Sequence, residues 1–263
     1  MKLSIAMITR NEEKILDTTL KSVVSFADEI IIVDSGSIDK TEEIAKKYGA
    51  KFFREAWKGY GLQRNSAIEK CSGEWILNID ADEEISPELQ IKIKNIKENE
   101  LEKKVFLLNF VSICFGKEIK HGGWANFYRI RLFRKNSGKF NDNTVHENFE
   151  TSESSYRIKE HIRHHTYATL EDYYEKFNRY STEGAIEYHR RGKKFHWYNI
   201  IFNPMFRFAN LYFFRLGFLD GIEGYLLAYA TAMQTMTKYY KLKEIYKIQN
   251  IAADLDKNID IMV

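Results

Sequence analysis

The sequence predicts an α/β fold, a mostly parallel sheet with helices on both faces, followed by a helical extension. Three observations predict it. Short apolar runs alternate with segments of helical period as far as Asp80, polar residues close those runs, and from Thr169 the pattern is helical to the end.

Leu3 to Ile8 is a continuous apolar run, suited to a parallel strand covered on both faces. Asn11 is placed to cap the next helix, on which Ile15, Leu16, Leu20, Val23 and Val24 share one face. Glu29 to Val33 forms a second strand ending at Asp34; Ser37 or Asp39 then caps a short helix that closes near Gly49. Lys51 to Arg54 is a third, short strand. Beyond Gly59 and Gly61 come a helix over Leu62 to Lys70 and a strand over Trp75 to Ile79, ending at Asp80. Ser86-Pro87-Glu88 opens another helix with Ser at the N-cap and Pro at the first helical position. Val105 to Val111 and Ile130 to Phe133 read as strands, the latter before an Asn136-Ser137-Gly138 turn. The expected division is an α/β domain over residues 1–168 and an aromatic, basic helical extension over 169–263, with a hinge at Asn203-Pro204.

Hydrophobic residues make up 44% and charged residues 29% of the 263-residue chain, which excludes wholesale disorder. A net charge of +3 gives no ground for a nucleic-acid partner. Only Cys71 and Cys114 occur, so no disulfide framework is expected and a reducing compartment is compatible. No apolar run approaches the roughly 18–20 residues that span a bilayer, and the apolar start gives way at once to Arg10-Asn11-Glu12-Glu13. The expectation is a cytoplasmic protein, at most peripheral on the inner face of the membrane.

In open α/β sheets ligands sit beyond the carboxyl ends of the strands, where Thr9, Asp34, Asp80 and Asp82 all fall. Side chains at i and i+2 of an extended segment point the same way, so Asp80 and Asp82, either side of Ala81, can face one ligand. Hard oxygen donors there suit Mg²⁺ or Mn²⁺ bridging diphosphate oxygens. Asp34 has two readings, acceptor for the imide N–H of a base such as uracil or cap of the next helix. Thr9, Asn11 and Glu12 can hydrogen-bond base and ribose, though Asn11 is equally explained as a helix cap. Arg64 can pair with a base or diphosphate, or lie on a surface.

Ile8-Thr9-Arg10-Asn11-Glu12, Val33-Asp34-Ser35-Gly36-Ser37-Ile38-Asp39, Gln63-Arg64-Asn65 and Asp80-Ala81-Asp82-Glu83 together resemble the family 2 nucleotide-sugar glycosyltransferases of GT-A fold. The resemblance implies a UDP-sugar donor, Asp34 on the uracil, Asp80 near the ribose, Asp82 on the metal, and an inverting displacement. Gly122-Gly123-Trp124, Arg131-Leu132-Phe133-Arg134-Lys135, Val145-His146-Glu147, His165-Thr166-Tyr167 and Gly217-Phe218-Leu219-Asp220-Gly221 look like the subgroup that glucosylates the lipopolysaccharide inner core. That implies glucose as the sugar and a lipid-anchored saccharide as acceptor. Glu147 best matches the family's catalytic base, although His-Glu replaces the usual Glu-Asp doublet. A carboxylate there would take the acceptor proton, help typically worth about 10²- to 10⁴-fold. His146 is a candidate further metal ligand, as is His165; Trp124 is a candidate sugar-stacking ring, or core; Arg131 is a candidate for acceptor phosphates, or an exposed strand residue.

His189-Arg190-Arg191-Gly192-Lys193-Lys194 precedes an aromatic stretch from Trp197 to Phe218. This suits docking at lipid headgroups, and equally packing within the extension or against a second copy of the chain. A sugar-phosphate nucleotidyltransferase is the enzymatic alternative, but Thr9-Arg10-Asn11-Glu12 lacks the glycine-rich phosphate loop it needs. A catalytically silent scaffold of the same fold is the other.

Overall fold

The computed structural model describes residues 1–99, 102–142 and 147–260, those from 250 onward as backbone alone. The first stretch alternates β1 (Leu3–Thr9), α1 (Leu16–Val23), β2 (Glu29–Asp34), α2 (Thr41–Lys47), β3 (Lys51–Arg54), α3 (Tyr60–Glu69) and β4 (Trp75–Asp80). There follow β5 (Glu83–Ile85), α4 (Pro87–Asn99), β6 (Val105–Cys114), β7 (Lys117–Ile119), β8 (Ala125–Arg134), β9 (Lys139–Phe140), β10 (Phe149–Glu150) and β11 (Ser155–Tyr167). The helices α5 (Leu170–Arg190), α6 (Trp197–Ala209) and α7 (Gly221–Asp260) complete the chain, with a π turn over Asn210–Phe214 and a 3₁₀ turn over Gly217–Asp220 between the last two.

The main sheet runs β3-β2-β1-β4-β8-β6-β11-β5, with β7 paired to β6. Its first four strands are parallel and β8 joins β4 antiparallel. Both faces of the parallel part are buried. Leu3, Ile5, Met7, Ile32 and Trp75 fill one side, and Ala6, Ile31, Val33 and Ile76 the other. This explains why the strands read as unbroken apolar runs rather than alternating ones.

Contacts divide the chain into two compact units, residues 1–112 with 126–166, and residues 113–125 with 167–263. In the first, Glu29 accepts from the Ser4 and Ser72 hydroxyls and from the backbone N–H groups of Ser72 and Gly73, tying the starts of β1 and β2 to the α3–β4 loop. Ser86 Oγ accepts from Leu89 N, the expected cap of α4.

The second unit is built on α5 and α7. Thr169 and Asp172 form a reciprocal capping box at the start of α5. Lys241 Nζ donates to Asn178 Oδ1, Ser181 Oγ and Thr182 Oγ1 across the helix pair. Asp220 accepts from the backbone N–H groups of Lys120 and His121, so it fastens the 117–121 segment to the start of α7.

Three local expectations are corrected. Asn11 does not cap α1, which begins at Leu16; at φ 56 its side-chain oxygen instead accepts from Ile38 N, 3.0 Å away. Val24 is exposed, since α1 has closed at Val23. Pro204 lies inside α6 and makes no hinge. The chain turns later, at Leu216, whose φ of 58 is left-handed and incompatible with helix.

Candidate active site

Register brings the ends of the parallel strands together. Thr9 pairs with Asp34 across β1 and β2, and Ile8 with Asp80 across β1 and β4, so the residues that close these strands share one sheet edge.

Asp34 is fully buried and saturated. Its Oδ1 accepts from Gly36 N (2.9 Å) and Ser37 N (2.8 Å), and its Oδ2 from Thr9 Oγ1 (2.9 Å) and Ser37 Oγ (2.5 Å). The backbone donors are fixed and the hydroxyls can rotate. A ligand N–H reaching Asp34 therefore takes the place of Thr9 or Ser37. Gly36, at φ 100, lines an open cavity with Ser35, Arg54, Glu55 and Ala56, beyond the ends of β2 and β3. Asn11 N donates to Ser37 Oγ and Glu12 N to Thr41 Oγ1, so these two residues knit the β1–α1 loop to the β2–α2 loop.

Asp80 is held by two arginines. Arg64 Nη1 lies 2.6 Å from its Oδ1 and Arg64 Nη2 2.9 Å from its Oδ2, while Arg131 Nη2 is also 2.9 Å from Oδ2. Both guanidiniums donate to Asn78 Oδ1 as well, and Asn78 Nδ2 donates to Ala6 O. Burial alone would raise the Asp80 carboxyl, but Arg64 and then Arg131 hold it well below the usual carboxylate range. Arg131 Nη2 lies 2.7 Å from Glu83 Oε1, and Glu83 Oε2 accepts from Asp80 N. Burial pushes Glu83 up to about 7 against the pull of Arg131.

Asp82 has a different partner. Its carboxylate is 27% exposed and sits 3.3 Å from His164 Nε2 on β11. Burial would lower the His164 imidazole, but the Asp82 charge and hydrogen bond, joined by the charges of Glu83 and Asp80, raise it. Asp82 is held at both ends of its peptide unit: Ala81 O accepts from Thr19 Oγ1 and Asp82 O from His165 N. No cluster of three or more acidic, His or Cys side chains of metal-binding geometry occurs among the described residues. The Asp82–His164 pair offers a carboxylate oxygen and an imidazole nitrogen, donor types that would suit a divalent cation needing further ligands from outside the chain. With both oxygens already paired to arginine, Asp80 is ill placed to ligate.

Glu147 joins the same cluster, its Oε1 3.4 Å from Arg64 Nε. The approach depends on Gly61 in the first turn of α3. A Cβ there would lie 1.8 Å from Asn141 O and 3.6 Å from Glu147 Cβ, so only glycine admits the segment that carries the carboxylate.

Residues 4–149 match the profile of Glycosyl transferase family 2. The chain belongs to that family. A glycosyltransferase of Rickettsia typhi is 30% identical over 264 residues, covering 96% of this chain and 90% of the relative. A lipopolysaccharide core biosynthesis glycosyltransferase, LpsC of Rhizobium meliloti, is 29% identical over 261 residues, covering 91% and 93%. Among solved structures, S. aureus TarS 1-349 in complex with UDP aligns over 94% of this chain and 92% of its own, at TM-score 0.47 and 18% identity. The architecture is the GT-A-like one of family 2.

Within this family 2 transferase several sequence expectations change. Arg131 is not on an acceptor-facing surface: it is buried, because β8 runs beside β4 and the Asp80 and Glu83 carboxylates draw it inward. His165 turns to Glu84, Nε2 to Oε2 2.9 Å, and it is the neighbouring His164 that meets Asp82. Successive strand residues face opposite ways, and β11 was not foreseen as a strand. His146 lies outside the described residues. In the second unit the half-buried Trp124 ring packs edge-on against Tyr167, centroids 6.0 Å apart, at the border of the cluster that holds Ile119 and Leu227.

Proposed function

We propose that this glycosyltransferase moves a hexose, glucose, from a UDP-sugar to a saccharide of the lipopolysaccharide core or a related envelope glycan, with inversion and with Mg²⁺ or Mn²⁺. One observation carries the proposal: Asp82 with His164, and Asp80 with Glu147 through Arg64, stand beside the edge where β1, β2 and β4 end. The likeness to LpsC across nearly the whole of both chains favours the core saccharide as acceptor.

In this reading the nucleoside lies over the loops after β1 and β2. Its base displaces a hydroxyl from Asp34 and fills the cavity beside Gly36, with Asn11 and Glu12 holding those loops in register. Asp82 and His164 hold the cation, which when bound neutralises charge on the departing diphosphate. Arg64 and Arg131 fix Asp80 near the ribose. Glu147, oriented by Arg64, takes the acceptor hydroxyl proton as oxygen attacks the anomeric carbon; the C–O bond forms as the bond to the diphosphate breaks. Residues 1–168 supply this machinery, and residues 169–263 hold the chain near an acceptor presented at the inner face of the cytoplasmic membrane.

A donor screen tests it. UDP-glucose, UDP-galactose and a nucleoside diphosphate control are incubated with the protein, with Mn²⁺, Mg²⁺ or chelator, and released nucleotide is measured. UDP release from UDP-glucose that requires the cation is the expected result. Release of pyrophosphate when UTP and glucose 1-phosphate are supplied instead, or no turnover with any donor and core acceptor, overturns it in favour of a nucleotidyltransferase or a silent scaffold.

A further inference from the structure

From Tyr188 to Leu219 the sequence contains no Asp or Glu, while Arg190, Arg191, Lys193, Lys194, Arg207 and Arg215 supply six positive charges. Within the second unit, α6 and the π turn after it sort their aromatics by face. Phe208 and Tyr212 stack on each other at 5.3 Å and meet Tyr225 of α7 edge-on at 5.9 and 5.7 Å, so one face is pinned to the long helix. The other face is left open: Trp197 and Phe206 are each 68% exposed and Phe214 75%, with Ile201, Phe202 and Met205 exposed between them. No residue of α6 is buried.

Arg207 and Arg215 belong to the same stretch of chain, are exposed, and make no ion pair to a carboxylate among the described residues. Arg215 lies across Gly123, where a Cβ would collide with its guanidinium. Surrounding chain, and then the like charge of Arg215, draw Arg207 below an ordinary arginine. Two cations that repel each other and lack a counter-charge, in a stretch of chain with exposed aromatics, make a surface that an external anion completes.

We infer that the open face of α6 and the following turn, residues 197–219, docks on an anionic bilayer, its aromatics among the acyl-chain ends and Arg207 and Arg215 on lipid phosphates. Exposed aromatic and apolar residues in a stretch that carries cations and no carboxylate match a segment lying in the interface. No helix of the described residues is long and apolar enough to cross a membrane. A second copy of the chain is the poorer occupant on charge. A two-fold contact places a patch against itself, and this patch would bring arginine to arginine with no carboxylate between. The inference sharpens the membrane placement proposed above, and it does not depend on which sugar is transferred or on the metal.

Vesicle co-sedimentation of the full chain tests it, comparing phosphatidylcholine vesicles with vesicles containing phosphatidylglycerol. The chain is expected to pellet with the anionic vesicles and to be released by high salt. Each basic residue near an anionic surface contributes about fivefold, so Arg207→Gln with Arg215→Gln is expected to weaken binding by about 30-fold. Phe206→Ser with Phe214→Ser is expected to weaken it at low salt too. Circular dichroism, and donor turnover in the absence of vesicles, are expected to match the unaltered protein. Equal binding to both vesicle types, or full binding by the double-arginine variant, overturns the inference. So does sedimentation velocity showing a dimer that the double-phenylalanine variant dissociates, which assigns the face to a second copy.

Discussion

Arg64 and Asp80 meet through two parallel contacts, Nη1 to Oδ1 at 2.6 Å and Nη2 to Oδ2 at 2.9 Å, and the same guanidinium turns its Nε towards Glu147. A planar fork can do this and an ammonium cannot. Arg64→Lys is therefore expected to keep the fold but lower kcat by tenfold or more, from loss of orientation at both carboxylates. Steady-state kinetics and a melting curve check it; unchanged kcat would separate Arg64 from the chemistry.

Arg131 is the second clamp, and its removal is a matter of stability. Arg131→Met leaves Glu83 buried without its cation and strips Asp80 of one of two. Breaking a buried pair on one side costs about 3–5 kcal/mol, so a large fall in denaturant midpoint is expected. A change within the range of ordinary surface substitutions would show that Arg64 alone suffices.

For the cation, Asp82→Asn is expected to abolish metal-dependent turnover. His164→Ala is expected to raise the Mn²⁺ concentration for half-maximal activity, and His165→Ala to leave it near the unaltered value. Metal titrations of the three variants distinguish the neighbouring histidines directly.

Glu147→Gln is expected to retain UDP-sugar affinity while transfer falls by 10²-fold or more, the scale of general-base help. Calorimetry for binding and product analysis for transfer check the two halves separately. Surviving transfer moves the base elsewhere.

Glu29 gives the pH dependence of folding a defined limb. Its burial would raise the carboxyl, but the Ser4 hydroxyl and the Ser72 donors lower it to about 2 from 4.5. The folded pKa is depressed, so the stabilisation is complete above about 4.5 and drains away as pH falls from there towards 2. Glu29→Gln is expected to lower stability at neutral pH and to flatten that acid limb. Urea midpoints between pH 3 and pH 7 measure it.

The parallel half of the fold was legible because its strands are buried on both faces and so read as unbroken apolar runs, closed by Asp34 and Asp80. The far half was not. Ser155–Tyr167 alternates polar and charged residues with few apolar ones, and only pairing with β6 and β5 makes it a strand. Missing that strand hid the two-residue periodicity that separates His164 from His165. Arg131 looked exposed because arginine in a strand usually is, and its burial depends on carboxylates distant in sequence. Pro204 looked like a hinge from its chemistry, yet α6 accommodates it, and the real turn falls at Leu216, marked in sequence by Gly217 rather than by the proline.

Gly61 sets a tolerance for the whole arrangement. The missing side chain lets the backbone at Asn141 pass against the first turn of α3, beside Glu147, whose carboxylate lies 3.4 Å from Arg64 Nε. A single added methyl would meet the Asn141 carbonyl and force that backbone to shift, with Asn148, the neighbour of Glu147, hydrogen-bonded to it.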